Sequence, residues 1–120
     1  MSDNSGAALY AEREGRIRDN IALHPTDRVP FTYNPTFWAA RLAGMTYQDL
    51  WYDVDKCIDA TRQAIRLLEP DSYSTFTTAF GPTLEALDWQ PMKWPGHGVD
   101  ENATFQYLDA EHMSAEEYDL

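Results

Sequence analysis

The chain has 120 residues, enough for one domain and too few for two. Nine Lys and Arg against twenty Asp and Glu give a formal net charge of −11, a surface that repels phosphate backbones and anionic membranes, so nucleic-acid binding is disfavoured. A single cysteine, Cys57, rules out an intrachain disulfide and a multi-cysteine zinc site. The polar opening Met1-Ser2-Asp3-Asn4-Ser5-Gly6 lacks the apolar run of a signal peptide, and no apolar stretch is long enough to span a bilayer. These features together predict a cytoplasmic protein.

The first helix is expected over 7–23, with Leu9, Arg13, Ile17 and Ile21 on one side at helical spacing. His24-Pro25 ends it, because the residue before proline is pushed out of the helical region. Val29-Pro30-Phe31-Thr32-Tyr33 is β-branched and aromatic and predicts a first strand over about 29–33. Asn34 as N-cap and Pro35 at the first helical position open a helix over about 35–43, and Gly44 supplies a left-handed C-cap.

Thr46 and Asp49 form a capping-box pattern before a long helix over 47–68. Its apolar face is Tyr47, Leu50, Trp51, Val54, Cys57, Ile58, Thr61, Ile65 and Leu68, and Pro70 ends it after about 22 residues, or roughly 33 Å. Cys57 on that face reads as a small core residue. Tyr73, Thr75, Phe76, Thr77 and Thr78 predict a second strand over about 73–79, and 82–87 a short helix. The segment 88–100, with Pro91, Pro95, Gly96 and Gly98, reads as irregular loop, and 104–108 as a further extended run. Ser114 with Glu117 is a capping box that announces a helix just before the sequence stops, which predicts a truncated or split protein. A frayed last turn is the alternative.

Strand, helices and strand in this order make a βαβ unit with parallel strands. A (β/α)8 barrel takes about 250 residues, so the expected fold class is α/β: the N-terminal portion of a TIM barrel, helix-rich and incomplete. The four tryptophans and 13% aromatic content point to a partner surface.

Several phrases carry a family likeness. Glu12-Arg13 and Arg16-Ile17, followed by Pro25-Thr26-Asp27-Arg28-Val29-Pro30-Phe31, resemble the opening of the uroporphyrinogen decarboxylase (URO-D) superfamily. Leu42-Ala43-Gly44-Met45-Thr46, Trp94-Pro95-Gly96 and the run from Gln106 to Asp119 are similar to its cobamide-dependent methyltransferase branch. The resemblance covers about Glu12 to Leu120 and lies in the order of phrases rather than in one motif. It implies a (β/α)8 barrel that works at the C-terminal mouth of its strands, a catalytic zinc whose ligands fall in later strands outside this sequence, and a cobamide carried on a separate corrinoid protein.

Two departures turn the expected parent away from porphyrin decarboxylation. The arginine-rich segment that follows the decarboxylase's first strand corresponds to Tyr33 through Arg41, where the only arginine falls late in the helix. Its essential aspartate corresponds to Ala79 or Thr78, neither of them acidic. A substrate rich in carboxylates needs cations to hold it.

The candidate pocket residues are therefore Tyr33 and Asn34 after the first strand, Thr77 and Thr78 at the end of the second, and His97 between two glycines. Ordinary strand-end and turn roles are the competing readings. No catalytic residue and no metal ligand is expected in this chain: His24, His97 and His112 are isolated, His24 at a helix end and His112 on the surface. The expected partners are a corrinoid protein, a complementary barrel chain or a second copy of this chain. The alternative functions are a split subunit that completes a barrel, or a piece of a decarboxylase acting on a smaller acid.

Overall fold

The structure is a computed structural model, and it describes residues 4–35, 37–74, 80–111 and 113–118. In chain order the elements are α1 (Asn4–Ile21), β1 (Thr32–Tyr33), α2 (Phe37–Ala43), α3 (Tyr47–Tyr52), α4 (Val54–Leu68), β2 (Ser72–Tyr73), α5 (Phe80–Ala86), β3 (Met92–Pro95), β4 (Gly98–Val99) and β5 (Gln106–Tyr107). A 3-10 turn, Ala115–Tyr118, closes the series.

β1 and β2 lie parallel, Thr32 opposite Ser72 and Tyr33 opposite Tyr73. Three helices form the crossover between them, as a parallel pair requires. β1 is shorter than expected. Residues 29–31 stay outside β1, with Val29 exposed and the Phe31 N–H donating to the Asp71 carboxylate instead of to a strand. Most of the predicted second strand, 75–79, lies outside the described residues, and Thr77 and Thr78 with it.

The predicted long helix is two helices. Asp53 (φ −117°, ψ 103°) breaks it, closing α3 through its backbone N–H to the Asp49 carbonyl and opening α4 by accepting from the Lys56 N–H. An Asp side chain competes for backbone amides, and here that competition outweighs an unbroken apolar period. The expected face is buried in large part: Leu50, Trp51 and Cys57 are in the core and Tyr47, Ile65 and Leu68 pack against it, whereas Val54 and Ile58 are exposed and Ala60 and Ala64 are buried instead. Asp53→Ala is expected to destabilise the fold by about 1 kcal/mol, with Asp53→Asn recovering most of it, as read from urea-unfolding midpoints.

Small side chains bring α2 and α4 close. Ala39 and Ala40 on one helix and Ala60 and Ala64 on the other are all buried. Above this seam sits an aromatic cluster, in which Phe37 stacks on Trp51 (5.9 Å between centroids, 3° between planes) and Phe105 leans on both.

Two caps and one helix end match expectation. Gly44 is left-handed (φ 69°), and the Met45 N–H reaches back to the Ala40 carbonyl. Thr46 and Asp49 form a complete capping box. Glu69, also left-handed, ends α4 before the buried Pro70.

The described part of α2 begins at Phe37, and the Asn34 side chain accepts from the Ser74 hydroxyl. α1 differs at both ends, starting earlier than expected and ending in a left-handed Leu23 (φ 58°). The segment read as loop, 88–100, contains β3 and β4, with Trp94 opposite Gly98 and Pro95 opposite Val99. Gly96 (φ 81°) and Gly98 (φ 84°) make the tight reversal possible, and β5 pairs antiparallel on the other side of β3.

Candidate functional site

Two polar constellations stand at opposite ends of the parallel pair. At the N-terminal end Asp71, its side chain fully buried, accepts from Arg16 Nη1, from both terminal nitrogens of Arg28 (2.5 and 2.7 Å) and from the Phe31 N–H (2.8 Å). Arg16 also donates to Asp27 (2.7 and 2.9 Å) and Glu12 (2.7 Å). Burial alone would raise the Asp71 carboxyl, but the Phe31 amide and the two guanidinium groups outweigh it and hold the carboxyl below its ordinary range. The Arg16 hydrogen bond lowers Asp27 to about 2. Arg16 is itself pushed above its usual value, chiefly by hydrogen bonds to Asp27 and Glu12. Both arginines are thus committed to carboxylates of this chain. This clasp ties α1 and the loop before β1 to the start of β2.

At the C-terminal end the Ser74 hydroxyl donates to Asn34 Oδ1 (2.8 Å). Tyr33 packs edge-on against Trp38 (6.4 Å, 80°), and its buried hydroxyl has no hydrogen-bond partner among the described residues. Burial raises the Tyr33 phenol above its ordinary value. Ser74, which sequence reading passed over, is the residue that meets Asn34; only its place just after a predicted strand start could have drawn attention to it.

His97 belongs to a different neighbourhood. Its ring lies flat on Trp94 (4.2 Å between centroids, 8°), and Nδ1 stands 3.5 Å from Glu85 Oε1. The Tyr52 hydroxyl donates to the same Glu85 oxygen (2.5 Å) and accepts from Trp94 Nε1 (3.0 Å). Burial, reinforced by the Glu85 carboxylate and opposed by the Trp94 N–H, raises the Tyr52 phenol. A cleft of about 270 Å³ opens beside these groups, and neither Tyr33 nor Asn34 lines it. Gly81 permits the arrangement, since a Cβ there would stand 2.6 Å from the Tyr52 ring. The five candidate residues therefore do not share one site: Tyr33 and Asn34 are neighbours on β1 and after it, His97 is elsewhere, and Thr77 and Thr78 fall outside the described residues. Glu85 and Tyr52 were missed because each is an unremarkable helical position in the sequence.

Cys57 is buried in the α2–α4 seam; burial raises its thiol, with a hydrogen bond to Thr61 opposing. His112 lies outside the described residues. Among the described residues no group of three or more His, Cys, Asp or Glu is placed to hold a metal ion. No described helix is long and apolar enough to cross a membrane. Compared with protein-family models, curated proteins and solved structures, the chain matches none.

Proposed function

We propose that the chain is the opening βαβ segment of a URO-D-type barrel of the corrinoid-dependent methyltransferase kind, supplying scaffold and part of the mouth wall. The observation that carries the barrel reading is the polarity of the parallel pair. A buried ionic clasp holds the N-terminal ends of β1 and β2, and a small polar pair, Asn34 and Ser74, stands at their C-terminal ends, where barrels do their chemistry. The choice of branch rests on the sequence resemblance. The commitment of Arg16 and Arg28 to Asp71 agrees with it, because neither is left to hold a carboxylate-rich substrate.

An unfinished surface supports the same reading. The radius of gyration is 19.4 Å, against about 14 Å for a compact chain of this length. Large apolar side chains stand exposed along α1 and beside the strands, among them Tyr10, Ile21, Leu23 and Tyr73. Two strands alone make no stable sheet, and no other described strand pairs with either edge. The remaining barrel strands, on one chain or on a second, would cover them.

Sedimentation velocity on the chain alone, paired with thermal unfolding followed by circular dichroism, tests this. Self-association of the folded chain, with a concentration-dependent transition, is the expected result. A monomer with one sharp cooperative transition would overturn the proposal.

A further inference from the structure

The cleft beside His97 plays no part in the barrel reading, and its chemistry is distinctive. We propose that it binds a small organic cation with an apolar body, of the arylalkylammonium class, with Glu85 and Asp88 as the counter-charges. One wall is α5 and the turn after it, which set these two carboxylates three residues apart. Leu84 adds an apolar side chain to that wall, and Trp89, Met92 and Leu108 line the rest. Trp89 is the exposed aromatic of the set, at 43% of its surface, and offers an indole to a cation.

Glu85 is fixed for the task. Both of its described partners, the Tyr52 hydroxyl and the His97 imidazole, use Oε1, which leaves Oε2 for a ligand. Tyr52 is held in turn by the indole N–H of Trp94, a side chain 1% exposed, so the carboxylate is supported from the core outward. Asp88 likewise uses only Oδ1, accepting from the Gln90 side chain. Against these two acids the lining offers one ammonium, Lys93, and one imidazole, His97. The overall charge of −11 concentrates small cations around the whole molecule, and the apolar walls select among them. A bare ammonium gains from the charge alone; an anion with the same apolar body gains from the walls but meets two carboxylates.

The test is a ¹H–¹⁵N NMR titration of the full chain with phenethylammonium, run beside 3-phenylpropionate as the anion of matched body. Saturable shifts confined to residues around 84–98 are expected with the ammonium, and none with the carboxylate. Glu85→Gln and Asp88→Asn are each expected to weaken binding at least fivefold. Asp88→Asn does not touch the Tyr52 contact, so its effect separates loss of counter-charge from local rearrangement. Equal shifts with both probes, no saturation with the ammonium, or undiminished affinity in Asp88→Asn would each overturn the proposal.

Discussion

Asp71→Ala is expected to cost about 3–5 kcal/mol, the range for breaking a buried charge pair by removing one partner. The Asp71 side chain has no exposed surface, and it receives four hydrogen bonds from three residues, Arg16 on α1 and Arg28 and Phe31 in the loop before β1. Without it the Arg16 head, only 5% exposed, keeps Asp27 and Glu12 but loses its deepest partner. Arg28, nearly half exposed, turns to water at little cost. The Phe31 N–H loses its acceptor at the point where β1 begins. The expected outcome is loss of α1 docking, visible as fast hydrogen exchange across α1 and β1, with α2–α4 protection retained. Uniform loss of protection would mean that the clasp and the helical layer are a single cooperative unit.

The same clasp predicts an acid limit. Asp71 and Asp27 both titrate below their unfolded values, Asp27 at about 2. A depressed carboxyl contributes stability that is fully present above the unfolded value of about 4 and lost as pH falls through the folded one. Urea midpoints should therefore hold steady from neutral pH to about 4 and fall steeply towards 2. In Asp71→Ala the fall should be shallower, because one of the two coupled carboxylates is gone. An unchanged slope would show that other acids set the limit.

Trp94→Ala has an expected effect of similar size, about 3–5 kcal/mol, as for large-to-small changes at buried aromatics. Trp94 joins layers that otherwise touch little. Its backbone pairs β3 with β4, its indole N–H reaches Tyr52 on α3, and its face carries the His97 ring. Removing it opens a cavity and strips Tyr52 of a donor. Trp94→Phe keeps most of the volume and the stacking face and loses only the N–H, so it should cost about 1–2 kcal/mol. If Phe proves as damaging as Ala, the hydrogen bond rather than the packing holds β3 to α3.

How far the sequence carried these conclusions depends on the range of the interactions involved. The Gly44 cap, the Thr46–Asp49 box and the stop at Pro70 were legible, since each is encoded within a few residues. The break at Asp53 was not: the apolar spacing runs straight through it, and a single capping side chain overrode that spacing. The face of α1 was misjudged for a different reason. Its buried member is Arg16 rather than an apolar residue, and the partner that buries it lies 55 positions away. β3 and β4 were hidden by Pro91, Pro95 and two glycines, residues that usually mark a loop but here shape a tight reversal around a buried tryptophan. The grouping of Glu85, Tyr52 and His97 depends on α3, α5 and β3 meeting, and no spacing in the sequence records that.

The wide sequence separation across the clasp has a consequence for how the molecule assembles. Arg28 and Asp71 are 43 positions apart, whereas the alanine seam joins helices that follow one another closely in the chain. Closing the longer loop sacrifices more chain entropy before any contact is gained. The helical layer should therefore form early and the parallel pair late, with the first helix waiting undocked until residue 71 has been synthesised. In a growing chain the arginine at position 16 would remain in water throughout that interval, charged and soluble, where a leucine in its place would offer a sticky surface. An arginine there adds no further apolar surface to a nascent helix that already exposes Tyr10 and Ile21.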